Sequence, residues 1–343
     1  MNYFHRVSNA TATRFWVNNV TRKEAELAIE AGAAGCTQNP AYLAKVIQSQ
    51  DDGEYIRALL KNILAQTPDD NEAVAELQRR VIAGICHAFE PMYRESHGEK
   101  GLVSIQADPF HEDTATILDN AEKSLAMADN FLIKIPATLS GIPAMETLLK
   151  KGAAVLATEV MSIDQMIDVC EMHKRCEQEV GRALPLYFAH INGIFDDYLI
   201  EACQREGIQL CPDALANASF ALAKKMHAVM RERRYSARYM AGGARGLHHF
   251  KEMVGVNGAV TINWGGTADK LVALDEPVFD RFSAPTLTGL LDELLEKVPD
   301  FRKAYTPGSL TPEAYEHFGP VVKFRDMFEA GWEKAIQIAK ESR

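Results

Sequence analysis

The feature that most restricts how this chain folds is an alternation of eight short apolar runs with amphipathic helical stretches. The candidate strands are Arg14–Asn18, Ala34–Thr37, Leu102–Ala107, Phe131–Ile135, Val155–Thr158, Leu186–His190, Ala237–Ala241 and Ala259–Asn263. Helical segments follow them, among them Thr21–Glu30, Asp113–Ala128, Gly141–Lys150 and Ser162–Glu179. Strands this short, buried on both faces and separated by helices, belong in a parallel sheet. Eight such units favour closure into an α/β fold of the (β/α)8 TIM barrel type. The competing fold is an open doubly wound sheet, and no GxGxxG follows the first strand to support it.

Two stretches depart from the repeat. Tyr42–Phe89 reads as several helices with no strand between them, which is an insertion after strand two. Residues 275–343 follow the last strand and end in the helical stretch Val321–Lys340. They are expected to form a helical C-terminal extension that covers the barrel or mediates contacts in a homo-oligomer. No Gly/Ser, Pro or Gln/Asn tract is long enough for a linker, so residues 1–343 are expected to form one domain. Hydrophobic residues at 47% supply the large core such a domain needs.

The formal net charge is −10, with acidic residues spread along the chain. The nearest approach to a basic cluster is Arg231, Arg233 and Arg234 at a helix end, and it reads as a solvated terminus rather than a nucleic-acid footprint. No apolar run reaches the roughly 18 residues of a membrane span, and the N-terminus lacks a signal-peptide core. Six cysteines show no CxxC pair and no zinc-ligand spacing. The expectation is therefore a reduced, cytoplasmic protein with no metal, no membrane and no nucleic acid as partner. An anionic substrate would have to be held by locally placed Arg, Lys and backbone N–H groups.

In a barrel the chemistry gathers where strands end, at the C-terminal mouth. Those ends offer Asn18, Thr37 with Asn39, Gln106 with Asp108, Lys134, Thr158, His190 with Asn192, Arg245 and Asn263. Lys134 stands apart, because it sits within Phe-Leu-Ile-Lys-Ile-Pro, apolar on both sides. Burial penalises an ammonium and drives the group toward the neutral amine. That amine is the nucleophile needed to form an imine with a carbonyl substrate. A buried ion pair would account for the same residue structurally.

Ile133-Lys134-Ile135-Pro136-Ala137-Thr138 followed by Gly141-Ile142 resembles the segment that carries the Schiff-base lysine of transaldolases and fructose-6-phosphate aldolases. Thr37-Gln38-Asn39-Pro40 is similar to their TTNP motif. Val103-Ser104-Ile105-Gln106, Thr158 with Ser162 and Gln165, and Ala241-Gly242-Gly243-Ala244-Arg245 fall in the family's order. The resemblance runs from Phe15 to Leu271. It implies a class I mechanism without metal or other cofactor, in which Lys134 forms an imine with a ketose and a dihydroxyacetone unit is transferred to an aldehyde or released. It also implies that Gln106 and Thr158 hold a catalytic water. The strand-six tyrosine of the aldolase branch corresponds to His190, whose imidazole would serve as acid or base. Asn18, Thr37, Asn39, Asn192 and Arg245 would contact the substrate.

Three positions leave the family pattern. Its strand-one aspartate is Asn18, one phosphate-binding arginine is Gly193, and the serine of its strand-seven motif is Gly243. Asp108, two residues past Gln106, is expected to share its inward side, and Asp108 or His190 could assume the role that Asn18 cannot fill, whereas Glu159 is expected to face the helices. Gly242-Gly243 would allow a phosphate or sulfonate to approach the backbone beside Arg245. His248 and His249 could assist with an anion. Asp196-Asp197 is expected at a helix start, where carboxylates favour the dipole. Two alternatives stay open: an imine enzyme for a non-standard sugar or sulfosugar, and a non-catalytic sugar-binding barrel.

Overall fold

In a computed structural model that describes residues 1–343, eight parallel strands hydrogen-bond in chain order and the last closes on the first. They are β1 (Thr13–Asn18), β2 (Gly35–Thr37), β3 (Leu102–Ile105), β4 (Phe131–Pro136), β5 (Ala154–Val160), β6 (Leu186–His190), β7 (Arg238–Ala241) and β8 (Gly258–Asn263). Closure is extensive: β1 and β8 run in register from Thr13 opposite Gly258 to Asn18 opposite Asn263. The strands inferred from apolar patterning are all present. The third stops at Ile105, which leaves Gln106, Ala107 and Asp108 in the loop beyond it.

Side chains alternate between the barrel interior and the surrounding helices. Lys134 pairs with Leu156, and Pro136 with Thr158, so Lys134 and Thr158 share the inner face. Strand β5 then breaks the alternation. Ala157 pairs with Phe188 and Val160 with His190, so the two residues Thr158 and Glu159 oppose the single Ala189. This is a β-bulge, and Glu159 carries its strain with φ +61°. A non-glycine residue at positive φ inside a strand is costly, and such strain gathers at functional sites.

The insertion after β2 comprises the helices Tyr42–Val46, Gly53–Leu64 and Asp70–Glu95. The last of these buries Val74, Leu77, Ile82, Ile85 and Phe89 and delivers the chain to β3. Beyond β8 the chain forms several short helices and then the long helix Gly319–Glu341. This helix packs on Tyr42–Val46, Asp70–Glu95, Asn192–Glu206 and β5. Those elements flank the C-terminal ends of the strands, so the helix lies across the barrel mouth. Two contacts seat it there. Gly331 faces Ala41 so closely that an added Cβ would fall 2.4 Å from the alanine Cβ. Trp332 is fully buried and donates its indole N–H to Asn71 Oδ1 at 2.7 Å.

Replacing Trp332 by alanine removes a buried ring and leaves the Asn71 carbonyl without its donor. The expected loss is about 3–5 kcal/mol, read as a lower urea midpoint, with Trp332→Phe losing less. Unchanged midpoints for both variants would mean that the helix is not anchored through this ring.

Candidate active site

Lys134 projects from the middle of β4 and is only 8% exposed. Its amine lies 5.0 Å from the ring centre of Phe328 and 5.8 Å from that of Phe324, both on the helix across the mouth. These rings shield the amine from water. Burial is the largest influence on the group and pushes its pKa down to about 8, while Glu159 and Glu112 act in the opposite sense. At neutral pH roughly a tenth of the lysine is then neutral, against well under a thousandth for an ordinary lysine.

The two carboxyls belong to one cluster. Gln106 Nε2 donates to Glu112 Oε1 at 3.3 Å and to Glu159 Oε1 at 3.4 Å. Burial raises both carboxyls above the usual carboxylate range, and for Glu112 the negative field of Glu159 adds to the effect. Lys134, Gln106 and Arg325 pull Glu159 the other way, and Gln106 and Arg325 do the same for Glu112. Two acids this close in a dry setting favour sharing one proton between them. Gln106 Oε1 and Thr158 Oγ1 are buried without a protein partner, which leaves them free to bond a water or a substrate hydroxyl.

A second polar arc lies on the β8, β1 and β2 side. Asn18 Nδ2 donates to Asn263 Oδ1 at 2.9 Å, and Thr37 Oγ1 donates to Asn18 Oδ1 at 2.9 Å. Thr37 and Thr261 hydroxyls meet at 2.6 Å. Asn39 supports the loop: its N–H donates to Asn19 Oδ1 and its Oδ1 accepts from Ala41 N–H.

Several sequence expectations need correction. His190 does not face the mouth. Its ring nitrogens lie 3.1 Å from the Val160 carbonyl and 3.3 Å from the Ser219 carbonyl, and its ring packs on Phe195 of an outer helix. Burial pushes its pKa down to about 4, so it stays neutral behind the strand. Asp108 lies past the end of β3, where alternation no longer applies. It accepts from Asn71 Nδ2, the Phe110 N–H and the His111 ring, and is engaged with the insertion rather than with Lys134. Glu159 faces inward, because of the bulge. Glu112, Phe324, Arg325 and Phe328 were missed altogether.

The β6 and β7 loops hold a separate network. Arg245 Nε pairs with Asp197 Oδ2 at 2.6 Å, and Asp196 accepts from Ser219 and lies 3.2 Å from His249 Nε2. Asp196 and Asp197 lie in the second turn of the helix Asn192–Glu206, past the first turn where carboxylates favour the dipole, which corrects the expectation for them. Asn192 is buried at its start with neither amide atom partnered. Gly193 abuts Gly243 so tightly that a Cβ would fall 2.0 Å from the Gly243 carbonyl oxygen, and Gly243 itself sits at φ +70°. No group of three or more His, Cys, Asp or Glu side chains is arranged to hold a metal ion. No helix is long and apolar enough to cross a membrane.

This geometry can be set beside known proteins. The family model described as Transaldolase/Fructose-6-phosphate aldolase matches residues 15–282. The chain belongs to that family. Among curated relatives, a transaldolase of Parafrankia sp. (strain EAN1pec) is 30% identical over 166 residues, covering 46% of this chain and 44% of that protein. The Thermobifida fusca (strain YX) transaldolase is 27% identical over 230 residues, 61% of each chain. That of Mycobacterium bovis (strain BCG / Pasteur 1173P2) is 24% identical over 235 residues, 63% of this chain and 62% of its own. The matches thus span from under half to about three-fifths of those relatives. A solved aldo-keto reductase, MGS-M4 from a Medee basin deep-sea metagenome library, superposes with a TM-score of only 0.38 at 12% identity over 83% of this chain and 90% of its own, and supports no argument. In this transaldolase-family barrel the helix carrying Phe324, Arg325 and Phe328 lies beyond the region that the family model matches.

A pH series tests the amine. Modification of Lys134 by a small amine reagent, located by mass spectrometry, should rise with pH through an inflection near pH 8. In Glu159→Gln the inflection should move lower, because a carboxylate that stabilises the ammonium is gone. An inflection above pH 10 in the unaltered protein would refute the shift.

Proposed function

We propose that this protein is a class I, Schiff-base enzyme that cleaves a ketose at Lys134 and transfers or releases a dihydroxyacetone unit. The observation that carries the reading is the shielded, partly neutral Lys134 amine beside a carboxyl pair able to hold one proton. Family membership supports it.

The residues suit each step. The neutral amine adds to the ketone carbon, and its proton passes to the oxygen to give a carbinolamine. The protonated member of the Glu112–Glu159 pair donates a proton as the hydroxyl departs as water, leaving a cationic imine. The carboxylate so formed takes the proton from the hydroxyl on the fourth carbon as the bond between the third and fourth carbons breaks. The electron pair passes into the imine to give an enamine, and an aldehyde leaves. The enamine then adds to an acceptor aldehyde, or is protonated and hydrolysed to free dihydroxyacetone. The Glu112–Glu159 pair thus fills the role that Asn18 cannot, since an amide orients a hydroxyl but takes no proton. Gln106 and Thr158 position water, and Asn18 and Thr37 contact substrate hydroxyls.

A second reading, a non-standard ketose or sulfosugar as donor, is favoured by the cation set. Arg245 is paired to Asp197, and Gly193 offers no side chain to a phosphate. Arg325 supplies a guanidinium whose field reaches Glu112 and Glu159.

The decisive experiment incubates the protein with phosphorylated, sulfonated and plain ketoses, reduces with borohydride and maps adducts. A three-carbon adduct on Lys134 is expected, and the sugar that yields it names the donor. Lys134→Met should give none. Glu159→Gln should lower kcat by about 10²–10⁴ with the fold intact. If no sugar marks Lys134, the imine reading fails and a non-catalytic sugar-binding role takes its place.

A further inference from the structure

At the end of the barrel opposite Lys134, where β1, β7 and β8 begin, lies a cavity of about 590 Å³. Arg14, Lys100, Arg231, Arg234 and Arg238 line it, and Glu99 is the one carboxylate on its wall. That balance inverts the chain's overall charge of −10. A helix terminus explains part of it, since Arg231 and Arg234 close the helix Pro212–Arg233, where cations suit the dipole. It does not explain the rest. Arg14 comes from the start of β1, Arg238 from the start of β7, and Lys100 from the loop before β3. Cations brought together from four parts of the chain repel one another, and an oxyanion relieves that repulsion.

The partners of these groups divide them into two sets. Arg238 is committed to Tyr187 Oη at 3.0 Å and to Glu99 at 2.6 Å. Arg14 donates to the carbonyls of Ser8, Thr11 and Thr13. Arg231, Arg234 and Lys100 enter no salt bridge and remain available. Trp16 and Tyr187, with ring centres 5.4 Å apart, also line the cavity. His227 lines it as well, and its Nε2 is buried without a partner. Burial and the field of Arg231 push that imidazole down to about 4, as a positively charged surrounding requires.

We infer that this cavity is a binding site for a small phosphate-bearing ligand, distinct from the Lys134 mouth, with Arg231, Arg234 and Lys100 as its anion-holding groups. A guanidinium presents paired donors that match phosphate oxygens, and several cations around one dianion give both affinity and salt sensitivity. The inference stands whether or not Lys134 forms an imine.

Pyrophosphate is the probe, titrated calorimetrically into the full-length protein at low ionic strength. Saturable binding is expected, unchanged in Lys134→Met and weakened at least tenfold in the double variant Arg231→Gln, Arg234→Asn. Both arginines are exposed, and asparagine tolerates the left-handed backbone at position 234, so the variant should keep its melting temperature. Added salt should weaken the binding that remains in the unaltered protein. Three results would each overturn the proposal: no saturable binding, equal binding by the double variant, or loss of binding in Lys134→Met. The last would place the probe at the mouth.

Discussion

The mouth of this barrel is organised around the exclusion of water from three ionisable groups at once. Lys134, Glu112 and Glu159 each pay for burial by a shift toward the uncharged form. Lys134 and Glu159 limit one another's shift, because each favours the other's charge, whereas Glu159 adds to the upward shift of Glu112. The outcome is a cluster poised near neutrality, where protons move between groups at small energetic cost. Everything that builds the mouth serves that balance. The bulge in β5 turns a second side chain inward, Gln106 bridges the carboxyls, and Phe324 and Phe328 keep the amine dry.

The C-terminal helix is therefore part of the site and not merely an appendage. Its aromatic rings cover Lys134, while Arg325 and Glu329 act with opposite sign on both carboxyls. Its seat runs through Trp332 to Asn71 and from Asn71 to Asp108, which joins the helix, the insertion after β2 and the loop after β3. Asp108 thus does structural work at the rim. A carboxylate with three donors around it is well placed to hold a loop.

The barrel itself was legible in the sequence, because strands buried on both faces leave unbroken apolar runs that helices then separate. Lys134 was legible for a related reason: a cation inside such a run demands an explanation. The same reasoning applied to Glu159, an acid within Ala-Thr-Glu-Val, and strict alternation hid it. A bulge changes the parity of everything after it, and nothing in the composition of β5 announces one. His190 failed in the mirror sense, since its place in an apparent motif said nothing about which side of β6 it faces. Phe324, Arg325 and Phe328 were invisible because they lie about two hundred residues from the lysine they cover, and only the folded chain brings them there.

The contact between Gly193 and Gly243 limits how this site can be changed. With a carbonyl oxygen where any Cβ at position 193 would stand, that position admits no side chain while the neighbouring loop keeps its path. An arginine could not be placed there by one substitution, however useful a second cation would be. The β7 loop would have to be rebuilt first, and Gly243 at φ +70° holds it in its present course. New anion specificity is more accessible through the rim and the C-terminal helix than through a side chain at position 193.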